Sequence, residues 1–186
     1  MIISRTPFRI SFAGGGSDLP SFYTQEPGAV LSTSIDKYMY LAIHPFFEPD
    51  KIQLKYSKTE LVENFSDIKH PIFREYLSML QIKGVDINSV SDIPAGTGLG
   101  SSSSFTVGLV NALSAYNHQY VSQEQLAATA CEIEIGRLKE PIGKQDQYAA
   151  AYGGLNFIRF NCDESVEVEK IIMNPDANHI RQRLFQ

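Results

Sequence analysis

Two glycine-rich segments and two carboxylates carry the chemistry legible in this chain. Residues 94–104 read Pro-Ala-Gly-Thr-Gly-Leu-Gly-Ser-Ser-Ser-Ser. Gly96, Gly98 and Gly100 stand on alternate positions around Thr97 and Leu99 and leave no Cβ in the way of an anion. Backbone N–H groups can then approach that anion closely. The loop runs into Phe105, Leu109 and Leu113 at four-residue spacing, which predicts a helix from about Ser101 to Tyr116. A helix start has unpaired N–H groups and the positive end of its dipole, so it favours phosphate. Ser101, Ser102 and Ser103 add neutral hydroxyls that can donate to phosphate or ligate a hard cation. No Lys-Ser/Thr follows the glycines, so this is not a Walker A loop. A flexible Gly/Ser linker is the bland alternative, but a linker rarely opens a well-formed amphipathic helix.

The second segment, residues 6–19, is a strand that ends in glycines and an acid. Phe8, Ile10 and Phe12 alternate with Arg9, Ser11 and Ala13, which predicts a half-buried strand. Gly14, Gly15, Gly16, Ser17 and Asp18 follow. A dinucleotide-binding unit could begin this way, with Asp36 as its acid, but the last glycine of that fingerprint would fall at Leu19. The plain structural role for Asp18 is an N-cap before Leu19-Pro20.

Glu134 and Asp146 are twelve residues apart. Leu126, Ala130 and Ile133 mark the apolar stripe of the helix that holds Glu134, and Glu134 falls beside that stripe. Such a carboxylate is either solvated or serving a site. Lys144, two residues before Asp146, reads as a surface lysine that could also add positive potential.

These groups need a scaffold. Extended stretches are expected near 29–35, 38–43 and 51–56. A helix lies between Pro71 and Gly84 with Ile72, Phe73, Tyr76, Leu77 and Leu80 on one face. Residues 85–93 are extended. Ser122 and Gln125 form a capping box for a helix through about Leu138. A short helix over 145–152 follows the Glu-Pro-Ile-Gly turn, then strands over 155–160 and 166–172. Strands gathered before the long helices indicate an α+β fold. Residues 1–172 read as one domain, and 173–186 as the start of a truncated C-terminal region.

Composition narrows the classes. The 186 residues carry 16 Lys and Arg against 21 Asp and Glu, a formal charge of −5 that argues against nucleic acid as partner. No apolar run is long enough to span a membrane, and no secretory leader is recognisable, so a cytoplasmic location is expected. Cys131 and Cys162 form no metal-binding pattern and read as reduced thiols, Cys131 as a small hydrophobe. His44, His70, His118 and His179 lack ligand spacing and read as surface or turn residues. Tyr38, Tyr40, Phe46 and Phe47 fit either the core or a wall beside a nucleobase. Leu184 and Phe185 have no following element to cover them, so self-association through an exposed face is expected.

Together the segments resemble the GHMP kinases, the family of galactokinase, homoserine kinase, mevalonate kinase and phosphomevalonate kinase. The family's phosphate loop reads Pro-x-x-x-Gly-Leu-Gly-Ser-Ser-Ala, matched by 94–103 with Ser103 in place of Ala. Galactokinase-like members show the same twelve-residue separation between a magnesium-binding Glu and a catalytic Asp, in the Gly-x-x-Asp-Gln context found here at 143–147. The resemblance implies a ribosomal protein S5 domain 2-like fold, ATP and Mg2+. It implies phosphate binding by Gly96, Gly98, Leu99, Gly100, Ser101, Ser102 and Ser103, metal held by Ser102 and Glu134, and Asp146 and Arg9 as catalytic groups. Arg9 would keep Asp146 ionised. Arg9, Gly15, Gly16, Ser17 and Asp18 would meet the sugar. Gly15 and Gly16 replace the Glu-His of galactokinase-like members, which opens space and backbone N–H groups for a phosphorylated sugar. That pattern is similar to the heptose 7-phosphate kinase and fucokinase branch. The implied reaction is phosphorylation of an anomeric hydroxyl in the synthesis of nucleotide-activated heptose. A fucokinase-like enzyme, or a nucleotide- or sugar-binding module without turnover, remains the alternative.

Overall fold

The computed structural model describes residues 1–172. The expected helix start beyond residue 173, with His179, Leu184 and Phe185, lies outside them. One mixed sheet holds β1 (Ile2–Ala13), β2 (Gly28–Pro45), β3 (Ile52–Lys55), β4 (Thr59–Val62), β5 (Val85–Ser91), β6 (Leu155–Phe160) and β7 (Val166–Lys170). The helices are α1 (Pro20–Tyr23), α2 (Pro71–Leu80), α3 (Ser101–Tyr116), α4 (Gln123–Cys131) and α5 (Gln145–Tyr152). The α+β expectation holds. Among the described residues no helix is long and apolar enough to cross a membrane.

β2 is the spine. The two extended stretches expected at 29–35 and 38–43 are one strand of 18 residues. β1 pairs with it antiparallel on one edge, and the other edge is shared by β6 at Gly28–Thr33 and β5 at Met39–Pro45. The loops that leave β5 and enter β6 are tied to the interval between those two partners. Asp92 N–H donates to the Tyr38 carbonyl at 3.0 Å, and Ser34 N–H to the Gly154 carbonyl at 2.9 Å. A split strand edge thus brings two distant loops to the middle of the sheet.

β1 departs from simple alternation. Its register shifts between Pro7 and Arg9 and again between Ser11 and Ala13. Phe8 is fully buried, whereas Phe12 is 52% exposed, so the expected common face for Phe8, Ile10 and Phe12 is not formed. Bulges of this kind re-aim the side chains beside them, and here Arg9 is turned toward the loops.

α3 is buried almost all round, so in place of the expected amphipathic helix with one apolar face it is the enclosed helix at the centre of its layer. Its Gly108 lies directly on β1: a Cβ there would stand 2.7 Å from Thr6 Oγ1, and Ser4 Oγ donates to the Gly108 carbonyl at 2.9 Å. The capping box at Ser122 and Gln125 is present. The helix it opens is not uniform, because α4 passes into a π-helical turn over Glu132–Arg137. α2 ends on Gln81 in the left-handed conformation, not at Gly84. β4 and a 3-10 turn at Phe65–Asp67 had no clear sequence signal, since both are short.

Candidate active site

The glycine loop, β1, the π turn and α5 converge. Gly96, Gly98 and Gly100 have φ of 81, 74 and 76°, a left-handed backbone that glycine adopts without strain. Gly100 is the residue from which α3 starts. β1 is bonded to the loop through Arg9 N–H and the Leu99 carbonyl, 3.2 Å apart. The Arg9 side chain then reaches two ways. Nη1 donates to the Gly98 carbonyl at 2.7 Å, while Nε and Nη2 lie 2.7 and 2.6 Å from Asp146 Oδ1.

Asp146 sits in the first turn of α5. Burial pushes its carboxyl above the ordinary aspartate range, Arg9 pulls it back down, and Asp18 adds to the rise. The expected Arg9 contact is therefore present and favours the ionised form, although the net direction at this carboxyl is upward. Loss of solvent outweighs the guanidinium.

Glu134 is 1% exposed and holds three donors. Ser102 Oγ donates to Oε1 at 2.7 Å; Ser103 Oγ and Gln147 Nε2 donate to Oε2 at 2.9 and 2.6 Å. The solvated alternative is excluded. A π turn packs an extra residue into one turn, and here Ile133 and Glu134 both face inward.

Asp18 differs most from expectation. It does not cap α1, whose N-cap position is Leu19 and has no side-chain bond. Its carboxylate is 2% exposed and accepts from Gly16 N at 3.0 Å, Gln145 N at 3.1 Å and Gln145 Nε2 at 3.3 Å. Gln145 is the first residue of α5, so Asp18 caps that helix from the far end of the sequence. Gly143 makes this approach possible, because a Cβ there would overlap the Asp18 carboxylate. The expected free N–H of Gly16 is thus committed. Ser17 Oγ is 2.7 Å from the Gly14 carbonyl and accepts from Ala29 N at 3.0 Å.

Two clefts flank these groups. The larger, about 820 Å³, is lined by Ser101, Ser102, Glu134, Tyr56, His70 and Phe105 among others. The smaller, about 260 Å³, includes Gly16, Asp18, Gly143, Gln145 and Asp146.

A family model described as "GHMP kinases N terminal domain" matches residues 62–154. The chain belongs to the GHMP kinase family. A D-glycero-alpha-D-manno-heptose 7-phosphate kinase of Campylobacter jejuni is 30% identical over 188 residues, covering 94% of this chain and 53% of that protein. A galactokinase of Pyrococcus furiosus is 26% identical over 190 residues, covering 95% and 51%. Among solved structures, a D-glycero-D-manno-heptose 1-phosphate kinase from Bacteriodes thetaiotaomicron superposes with a TM-score of 0.84 at 27% identity, covering 94% of this chain and 61% of that one. A mevalonate kinase at 23% identity and TM-score 0.72 shares the fold. The chain spans about half the length of the curated relatives it matches.

In this GHMP kinase domain, the residues expected to act together do meet: Arg9 with Asp146, and Ser102 and Ser103 with Glu134. Lys144 does not join them. Its ammonium lies 4.7 Å from the centre of the Tyr23 ring and donates to the Glu164 carbonyl at 3.1 Å. Tyr38, Tyr40, Phe46 and Phe47 do not line the large cleft. His70 does, and it is no surface histidine. Its ring packs 4.9 Å from Tyr56 and Phe105 and 5.0 Å from Phe73, and burial lowers its pKa. Gln147, fully buried against Glu134, was hidden in the Gly-x-x-Asp-Gln match. Cys131 behaves as expected, its thiol pushed up to about 12 by burial.

The donor set fits magnesium. Among the described residues no cationic side chain pairs with Glu134, and a buried carboxylate is ordinarily paired or metal-bound. Magnesium takes one or two protein oxygens and completes its shell with phosphate and water. Ser102 Oγ and Glu134 Oε1 are such a pair, at the rim of the larger cleft.

Proposed function

We propose that this domain belongs to an ATP-dependent sugar kinase that phosphorylates the anomeric hydroxyl of a heptose 7-phosphate. The observation that carries the kinase reading is the arrangement of Asp146 and Glu134. One carboxylate lines the small cleft and the other the large one, with the glycine loop and Arg9 adjoining them. Nucleotide phosphates would lie on the N–H groups of Gly96–Ser103, the base in the larger cleft. The acceptor sugar would occupy the smaller, near Gly15, Gly16, Ser17 and Asp18.

Asp146 Oδ2 would take the proton of the attacking hydroxyl. Its raised pKa makes it a better base than a solvated aspartate, and it also orients the hydroxyl, which a loose transition state rewards more than proton removal. Arg9 holds Oδ1 and offers charge to the phosphoryl group in flight. Magnesium on Ser102 and Glu134 would neutralise phosphate charge. Expected location is the cytoplasm, and the partner a small sugar rather than nucleic acid.

Heptose 7-phosphate is favoured by the Campylobacter jejuni relative. Gly15 and Gly16 offer a sugar phosphate less than their missing side chains imply, because Gly16 N–H already serves Asp18. A fucokinase-like specificity would use the same groups, and a bifunctional fucokinase of Arabidopsis thaliana is 27% identical over 173 residues. The decisive assay offers ATP-Mg2+ with heptose 7-phosphate, heptose, fucose and galactose. Turnover of free fucose without turnover of heptose 7-phosphate would overturn the substrate assignment. Nucleotide binding without any transfer by the 186-residue chain would support the module reading. Static light scattering tests the expected self-association of the 20.7 kDa chain, on whose sheet Ile3 and Val90 are 59% and 66% exposed.

A further inference from the structure

We infer that Gln147 is a positioning residue for the metal site, fixing which oxygen of Glu134 faces the cation. The inference rests on the reading of Ser102 and Glu134 as a metal site. It goes further by assigning a role to a side chain that touches neither substrate nor metal.

The two oxygens of Glu134 are held differently. Oε2 accepts two bonds from buried groups, Gln147 Nε2 at 2.6 Å and Ser103 Oγ at 2.9 Å. Among the described residues Oε1 accepts only from Ser102, the exposed serine of the loop, at 2.7 Å. A carboxylate with one oxygen saturated from behind presents the other forward. Ser102 can release Oε1 by rotating its hydroxyl, whereas Gln147 and Ser103 are enclosed. The amide orientation follows from chemistry, since a carboxylate accepts and only Nε2 can donate to it. Among the described residues Gln147 Oε1 is then buried without a partner, so this bond holds the amide against an unmet acceptor. Such outer contacts to a metal-binding carboxylate commonly alter metal affinity by about 10–100-fold.

Gln147 also follows Asp146 on α5. The helix that carries the proposed base toward the sugar therefore carries the brace of the metal ligand on the next residue.

The test measures Mn2+ binding in the presence of saturating ADP, by the electron paramagnetic resonance signal of free Mn2+, without reference to turnover. Gln147→Met keeps the length and removes the donor; Gln147→Asn keeps the amide and shortens its reach. Both should weaken Mn2+ binding about tenfold or more, while metal-free ADP affinity stays within twofold. Should the methionine variant fail to fold, the asparagine variant decides. Ser103→Ala should lose less than either, because the shorter Gln147 contact remains. Wild-type affinity in a folded Gln147 variant would overturn the inference and leave the kinase reading intact. Equal loss of metal-free ADP binding would also overturn it, marking Gln147 as a fold residue. No binding of Mn2+ with ADP by the wild type would overturn both.

Discussion

Arg9 and Asp146, 137 positions apart in sequence, meet through a single carboxylate oxygen. Nε and Nη2 both address Oδ1, at 2.7 and 2.6 Å, and leave Oδ2 facing Gly100. One oxygen is anchored by charge and the other is left for a proton. That division lets one aspartate be both buried and usable.

Asp146→Asn should lower kcat by about 10³-fold in the complete enzyme while nucleotide affinity changes only a few-fold. Equal loss of nucleotide binding in a calorimetric titration would reverse the roles given to Asp146 and Glu134.

The same carboxyl makes a pH prediction. Its folded pKa is raised, so the stability contributed by the neutral form is fully present below the ordinary aspartate pKa and lost as pH rises through the folded value. At neutral pH the ionised form is therefore a net cost. Asp146→Asn should melt at or above the wild type at pH 7, with the difference shrinking in acid. The acid limb of kcat should lie above the usual aspartate range.

Gly100→Ala should cost about 1–2 kcal/mol for a left-handed non-glycine residue. The added methyl would stand 3.3 Å from Asp146 Oδ2, so activity should fall further than stability explains. Urea melts beside kcat measurements separate the two.

Asp18→Ala should lose about 1 kcal/mol as a missing cap. Gly143→Ala should lose as much or more, by driving the Asp18 carboxylate off the start of α5. The double variant should be clearly less damaged than the sum, because both changes remove one contact. Additive losses in a thermal-melt cycle would sink the trans-cap account.

His70 gives the opposite pH sign. Its pKa is lowered by burial, so its contribution is present above the unfolded histidine value and is lost as pH falls from there through the lower folded value. Wild type should therefore lose stability below about pH 6.5, relative to His70→Phe. Parallel melts of the two proteins at pH 7.5 and 5.5 would check this.

The sequence by itself determined most of the longer elements and the chemical inventory. Glycine alternation before an apolar helix, the capping box at Ser122 and the twelve-residue spacing of Glu134 and Asp146 are local patterns, and local patterns survive without coordinates. Three things were decided only in the tertiary structure. The join of two expected strands into β2 depends on which strands line its edges, a non-local matter. The full burial of Glu134, which helical spacing put only beside the apolar stripe, depends on Ser102, Ser103 and Gln147 closing around it. The balance at Asp146, and the move of Asp18 from its own helix to α5, depend on how deeply packing removes water and on what arrives from a hundred residues away. Residue type names the partners available to a charge, but burial sets the strength with which each is felt, and burial exists only once the chain has folded.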